Sequence, residues 1–436
     1  MRNSPIYAGS AFILTAATIF FSCNSDKVTI IPELETITVT DISKTSAKSG
    51  GNIISDGGGD ITEKGVCWGT GQNPTELDSH SLEGPGNDMY ESILTDLNPG
   101  TEYFVRAFAK NIAGTAYGDE KSFATLSESG SGQIIADHTI VNRYDEIPQY
   151  YIDLVKKMWF VVPGQSHSEG YRVGLTLLES LNSVYQVNVT ESGTPEAYTT
   201  SHLRASRATW GDYYDWQGWV YLYGEGSWFT NSTALERTKA GITYCNTHNL
   251  EIAAIGFGWC WDALAGSSTT GIDPVYGCHW YGESGNGPEG NKPWGIDAED
   301  YAQTGNSVSM DTYLNATQQY IDYCASNGYN TKVFFTTGPV DGFYGESGYQ
   351  GYLKYEHIRD YVKKDPSRIL FDFADILSYD DNGTKATATW NGHTYPVITP
   401  TNLSPTEGFH FSNAGALRLA KAAWWMLARI AGWDGS

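Results

Sequence analysis

Residues 159–168 read Trp-Phe-Val-Val-Pro-Gly-Gln-Ser-His-Ser, and EGYRVGLTLLESL follows to Leu181. Four apolar residues, a Pro-Gly break and a run with helical spacing predict a strand that feeds a helix through a tight turn. The alternation recurs downstream. EIAAIGFG, KVFFTTG and RILFDFADI are short apolar runs, separated by the helix-like STALERTKAGITYCNTH and MDTYLNATQQYIDYCASN. Strands that are apolar along their whole length are buried on both faces, the pattern of a parallel sheet between helical layers. Ligands of such sheets bind at the carboxyl ends of the strands, so chemistry is expected at the turn over 163–168.

Upstream the texture changes. From about Val28 to Leu126, β-prone runs (ETITVTDI, GGNIISDGG, EKGVCWGT, EYFVRAFAKN, EKSFATL) alternate with turns at a spacing that suits an all-β sandwich. Leu97-Asn98-Pro99-Gly100-Thr101-Glu102-Tyr103 is a Pro-Gly turn feeding an alternating strand with a tyrosine at its corner, and NIAGTAYGDEKSFATL reads as a closing hairpin. This stretch resembles a fibronectin type III domain, a module that spaces or binds. SESGSGQ, Ser127 to Gln133, is a flexible Gly/Ser connector. The organisation expected is a leader over 1–22, a fibronectin-like domain over 28–126, a linker over 127–134 and an α/β domain over 135–436.

The first residues predict export. Met1-Arg2-Asn3 is a short basic start, Ile6 to Phe21 is mostly apolar, and Ser22-Cys23 follows. The apolar run is too short for a membrane-spanning helix. Phe20-Phe21-Ser22-Cys23 resembles a bacterial lipobox, which implies lipidation at Cys23 and anchorage to the cell envelope, at the outer membrane, facing the periplasm or the exterior. Composition narrows the partners. A net charge of −23 repels a polyanion, so nucleic acid is not an expected partner. Fourteen Trp and 29 Tyr supply flat faces suited to stacking on sugar rings. The aromatic-rich stretches ATWGDYYDWQGWVYLYGEGSWF and 262–307 are candidates for the walls of a glycan-binding cleft, since long loops inside a compact domain are usually functional, or else for structural padding. Of the remaining cysteines, Cys67 reads as a small buried residue, Cys260 and Cys278 bracket one loop and can close it, and Cys245 and Cys324 are placed to lie side by side, bridged or packed. No Cys/His spacing suits zinc.

Ser166 falls just past a strand, at a helix N-terminus, where neighbouring N–H groups can hold an oxyanion. Near the other end, Thr406-Glu407-Gly408-Phe409-His410-Phe411-Ser412-Asn413-Ala414-Gly415 precedes the last helix, ALRLAKAAWWMLARIAGW. A carboxylate three residues before a histidine lets both reach one site, where the acid orients an imidazole that takes the serine proton. Among other acids, Glu169, Glu225, Asp262 and Asp341 are expected in solvated or loop-stabilising roles, although a carboxylate pair would suit glycoside hydrolysis.

Pro163-Gly164-Gln165-Ser166-His167-Ser168 resembles the first block of the SGNH (GDSL-type) hydrolases, with Gln165 in place of Asp. Glu407-x-x-His410 resembles their last block, with Glu in place of Asp, and FHFSNAGALRLAKA matches its run into the closing helix. The resemblance implies a flavodoxin-like three-layer α/β sandwich over about 300 residues, with Ser166 as nucleophile, His410 as base and Glu407 as orienting acid. For the oxyanion glycine, Gly211 and Gly224 are both open, beside Gly164. The family's Gly-x-Asn-Asp has no match, because EIAAIGFG runs into Gly258-Trp259-Cys260-Trp261-Asp262. Trp259 and Glu225 are placed as substrate contacts, and His167 is expected either to point away from the nucleophile or to contact substrate. The expectation is a surface esterase that removes acetyl or similar groups from a polysaccharide with no cofactor and no metal. The rivals are a glycosidic-bond hydrolase or lyase on the same fold, and a non-catalytic glycan-binding protein.

Overall fold

A computed structural model of the chain describes residues 28–98, 100–125, 132–164, 166–190, 201–207, 209–210, 219–220, 227–261, 263–265, 269–283, 285, 289–406 and 410–435. The chain divides into two compact units, the second beginning in earnest at Phe123.

The first unit is a sandwich of antiparallel sheets. Strands β1 (Glu33–Thr40), β2 (Ala47–Ser55) and β5 (Tyr90–Leu94) form one sheet in the order β1-β2-β5. The other has the order β4-β3-β6-β7, from β3 (Glu63–Gly69), β4 (Ser79–His80), β6 (Glu102–Asn111) and β7 (Gly114–Tyr117), with β8 (Lys121–Ala124) also on β6. Period-two alternation sends Val66, Trp68, Tyr90, Leu94, Val105 and Ala107 inward. Tyr90 ties the two sheets: its hydroxyl, on the first, meets the carbonyls of Gly65 at 2.8 Å and Phe108 at 3.0 Å on the second. This is the sandwich read from the sequence, and Cys67 is buried in it.

The second unit is built on a seven-stranded parallel sheet. Its strands are β9 (Ile135–Ala136), β10 (Trp159–Val161), β11 (Val187–Val189), β12 (Leu203–Ser206), β15 (Ala254–Gly256), β16 (Lys332–Thr336) and β17 (Ile369–Phe371). Their order is β11-β12-β10-β15-β16-β17-β9, with every pairing parallel. Two antiparallel ribbons lie off it, β13 (Thr209–Trp210) with β14 (Trp219–Val220), and β18 (Thr387–Trp390) with β19 (His393–Pro396). The central strands β10, β15 and β17 are buried throughout, as their apolar runs require. One group of helices joins α1 (Gln149–Val155), α2 (Ser166–Leu181), α8 (Phe373–Ser378) and α9 (Asn413–Ile430). The other joins α3 (Ser227–Thr230), α4 (Ser232–Thr247), α6 (Met310–Ser326) and α7 (Gly345–Lys363). A short α5 (Tyr301–Thr304) stands apart in the long insertion after β15. From β10 the chain turns to β11 and β12 on one side and later returns to β15 on the other. That reversal of strand order opens a crevice at the carboxyl end of β10. No helix among the described residues is long and apolar enough to cross a membrane.

The aromatic insertion differs from the candidate cleft wall. Trp280 and Trp294 are fully buried, and Trp228 and Phe229 are largely so. Trp228, Phe229, Phe257, Trp259, Trp294 and Tyr313 pack ring against ring. The insertion is therefore pinned by its two tryptophans, while Tyr276 and Tyr301 remain exposed. Residues 211–218 and 221–226 of the other stretch lie outside the described residues.

Within the insertion, Asp300 is buried, and Oδ2 accepts from the Ile296 N–H at 2.6 Å. Burial pushes its carboxyl up to about 6; the Ile296 bond opposes that rise and neighbouring Asp273 adds to it. An unfolded aspartate titrates near 3.9, so the folded state binds this proton more tightly. The resulting stability is full below about 4 and is lost as pH rises through about 6. Asp300→Asn keeps an acceptor for Ile296 and removes the titration. Thermal unfolding between pH 4 and 6.5 should show a shallower pH slope in the variant; identical slopes would locate the effect elsewhere.

Candidate active site

The turn after β10 owes its shape to two glycines. Gly164 has φ +135°, and a Cβ there would lie 2.0 Å from the carbonyl oxygen of Gly258. Gly258 is equally crowded, since a Cβ on it would lie 2.5 Å from that of Ser168. The two glycines form a parallel bridge, and the Gly258 N–H donates to the Pro163 carbonyl at 2.7 Å. Only bare backbone lets the ends of β10 and β15 approach so closely. This approach brings the first turn of α2, which starts at Ser166, against the segment Trp259-Cys260-Trp261.

His410 arrives from the other end of the chain on an anchored loop. The Asn402 side-chain amide donates to the carbonyls of Leu377 and Tyr379, both at 2.9 Å, and Leu403 bridges Phe411. Ser412 then caps α9 by accepting from the Gly415 N–H at 3.2 Å. His410 Nε2 consequently lies 3.2 Å from Ser166 Oγ, a contact between residues 244 apart in sequence. Trp261 stacks on the His410 ring, with centroids 5.6 Å apart and planes at 22°. Both Ser166 and His410 are partly exposed.

Two further groups reach the same hydroxyl. Cys260 Sγ is 2.9 Å from Ser166 Oγ, and His167 Nδ1 is 3.5 Å from it. The other nitrogen of His167 faces both oxygens of Asp341, at 2.9 and 3.1 Å. This pair is almost sealed from solvent, with side-chain exposures of 1% for His167 and 0% for Asp341. Phe373 and Phe411 pack edge-on against the His167 ring, and the His410 ring lies 5.0 Å away.

Several sequence expectations are met differently. Ser166 and His410 are together. Glu407, Gly211, Gly224, Glu225, Asp262, Gln165 and Cys23 lie outside the described residues. Gly164 lies at the turn, where its carbonyl accepts from Arg207 Nε at 2.8 Å. His167 neither contacts substrate nor points away from the nucleophile, because it is buried against Asp341 with its Nδ1 facing Ser166 Oγ. Trp259, 2% exposed, is a core residue whose indole N–H meets the Thr336 carbonyl, and it cannot stack on a sugar. Cys260 and Cys278 do not form a disulfide, and neither do Cys245 and Cys324, which are both buried. Asp341 is buried inside the site rather than solvated on a loop. Its one sequence signal was position, as the first acid beyond the carboxyl end of β16.

Chemically, a hydroxyl in contact with imidazole at a helix N-terminus can be activated as a nucleophile, and the first-turn N–H groups of a helix, which have no intrahelical acceptor, can accommodate a developing oxyanion. At the end of β15 the residue that meets Ser166 is a cysteine, a weak donor, rather than an asparagine.

No model of a known protein family matches the chain, and no curated protein matches it. Among solved structures it is similar to titin domains A168–A170, at 22% identity over 22% of this chain, with TM-score 0.17; it spans about a third of that fragment's length (32%). It is also similar to the sensor domain of the anti-sigma factor RsgI4 in Pseudobacteroides cellulosolvens, at 18% identity over 22% of this chain and 96% of that one, with TM-score 0.19. A third is the 6th fibronectin type III domain from human fibronectin type III domain containing protein 3, at 24% identity over 23% of this chain and 87% of that one, with TM-score 0.17.

The thiol provides a test of the site. Burial pushes the thiols of Cys67 and Cys324 up to about 11 and that of Cys278 to about 12, which disfavours their reaction. Cys260 is partly exposed. Iodoacetamide should therefore alkylate Cys260 and block labelling of Ser166 by a fluorophosphonate, whereas Cys260→Ala should be labelled normally after the same treatment. Equal loss in both would place the blocking group elsewhere.

Proposed function

We propose that the α/β unit is a serine hydrolase of the SGNH type that removes acetyl or similar acyl groups from a polysaccharide. The observation that carries this reading is the 3.2 Å contact between Ser166 Oγ and His410 Nε2. Ser166 attacks the ester carbonyl, and the N–H groups at the start of α2 hold the oxyanion. His410 is the acid–base partner, and Glu407, three residues before it, is assigned to orient its ring. The partly exposed Trp261, stacked on His410, offers a face to a sugar in the place that Trp259 was expected to fill.

In the same reading, the basic and apolar start of the chain and its Phe-Ser-Cys23 sequence make the protein an envelope lipoprotein. The fibronectin-like sandwich then serves as the spacer between anchor and enzyme.

Turnover of acetylated polysaccharide, or of a chromogenic acetyl ester, should fall by at least about 10³-fold in Ser166→Ala, the usual scale for loss of a nucleophile. Release of acetate is the measurement. Cleavage of glycan chains that survives Ser166→Ala would replace this reading with glycosidic-bond chemistry, and binding without turnover would replace it with a recognition module.

A further inference from the structure

Ser166 Oγ has more imidazole around it than one acid–base partner requires. His410 is partly exposed, so water and substrate can reach it. His167 is sealed from solvent. Its Nε2 lies between the Asp341 oxygens, which fixes the proton on that nitrogen. Nδ1 then carries a lone pair, buried and directed at the Ser166 hydroxyl 3.5 Å away. A buried acceptor left without a donor is destabilising, whereas an exposed one is satisfied by solvent. The serine proton is therefore best placed toward His167.

We propose that Asp341 and His167 form a second acid–base pair on the nucleophile, and that the two histidines divide the proton transfers. This rests on the reading of Ser166 as an acyl-transfer nucleophile. In acylation, His167 Nδ1 takes the Ser166 proton as the Oγ electron pair bonds to the acyl carbon and the carbonyl π pair moves to oxygen. When that pair returns, the bond to the sugar oxygen breaks, and the leaving oxygen takes a proton from Nε2 of His410, which must enter the cycle as the imidazolium and is left neutral by this step. In deacylation, water passes a proton to His410 as its oxygen bonds to the acyl carbon. The Oγ–acyl bond then breaks, and Oγ recovers its proton from His167. Ester and water become acid and alcohol, and both rings end as they began. The buried carboxylate of Asp341 compensates the charge that His167 carries in between. The arrangement follows exposure: the sealed ring serves the enzyme's own hydroxyl, and the open ring serves the groups that enter and leave.

p-Nitrophenyl acetate separates the two roles, because p-nitrophenolate leaves without needing a proton. With the full chain, the wild type should turn it over. His410→Ala should release about one equivalent of p-nitrophenolate in a burst slowed less than about tenfold and then stall as acyl-enzyme, with acetyl on Ser166 seen by mass spectrometry. Asp341→Asn, with unfolding temperature checked against wild type, should slow the burst by roughly 10²–10⁴-fold, the usual contribution of a general base. Absence of any burst in His410→Ala, or a wild-type burst in Asp341→Asn, would overturn the proposal and leave His410 as the sole base. If Asp341→Asn does not fold, the burst of His410→Ala decides alone. Turnover that persists in Ser166→Ala would remove the nucleophile itself, and the proposal would fall with it.

Discussion

The arrangement at the sheet's crevice depends on the contact of two bare backbones. Gly164 and Gly258 meet where any side chain would collide, and this lets β10 and β15 stay paired beyond their regular ends. The first turn of α2 is thereby pressed against Trp259-Cys260-Trp261, and Ser166 faces inward. Helix and strand propensity would hold without this contact. The placement of the hydroxyl would not.

Around that contact, the site is assembled from four loops at the same end of the sheet. The turn after β10 supplies Ser166 and His167, the end of β15 supplies Cys260, the loop after β16 supplies Asp341, and the segment before α9 supplies His410. A buried network braces the same end: Arg359 grips Asp372 at 2.6 and 2.7 Å, and the Thr337 hydroxyl donates to it at 2.8 Å. Burial works to raise the Asp372 carboxyl, but the guanidinium and the hydroxyl hold it below its ordinary value. A charge pair of this kind tolerates loss of neither partner, so the loops after β16 and β17 share one rigid base.

Much of the layout was legible because it is written in periodicity. The apolar runs at 159–162 and 332–336 and the helical spacing of 413–430 have one physical solution, a covered parallel sheet. Ser166 and His410 were legible because each sits at an element end, where such sheets place chemistry. What sequence alone left open concerns inside and outside. Trp259 and Trp280 carry the same indole a sugar platform would use, and only packing assigns them to the core. Cys260 was paired by loop length with Cys278, but strand register brings it to Ser166 instead. Asp341 sits in a Pro-Val-Asp-Gly stretch that reads as an ordinary turn. Its partner lies 174 residues away, a distance that local pattern does not span. The two-residue strand β9 is too short to carry any period.

The stacking of Trp261 on His410 makes the molecule its own optical probe. An indole responds in its emission to the charge of a ring lying against its face, and the tryptophans of the aromatic core are shielded from solvent. A ligand that reaches His410 is expected to alter the emission of Trp261, with no dye attached.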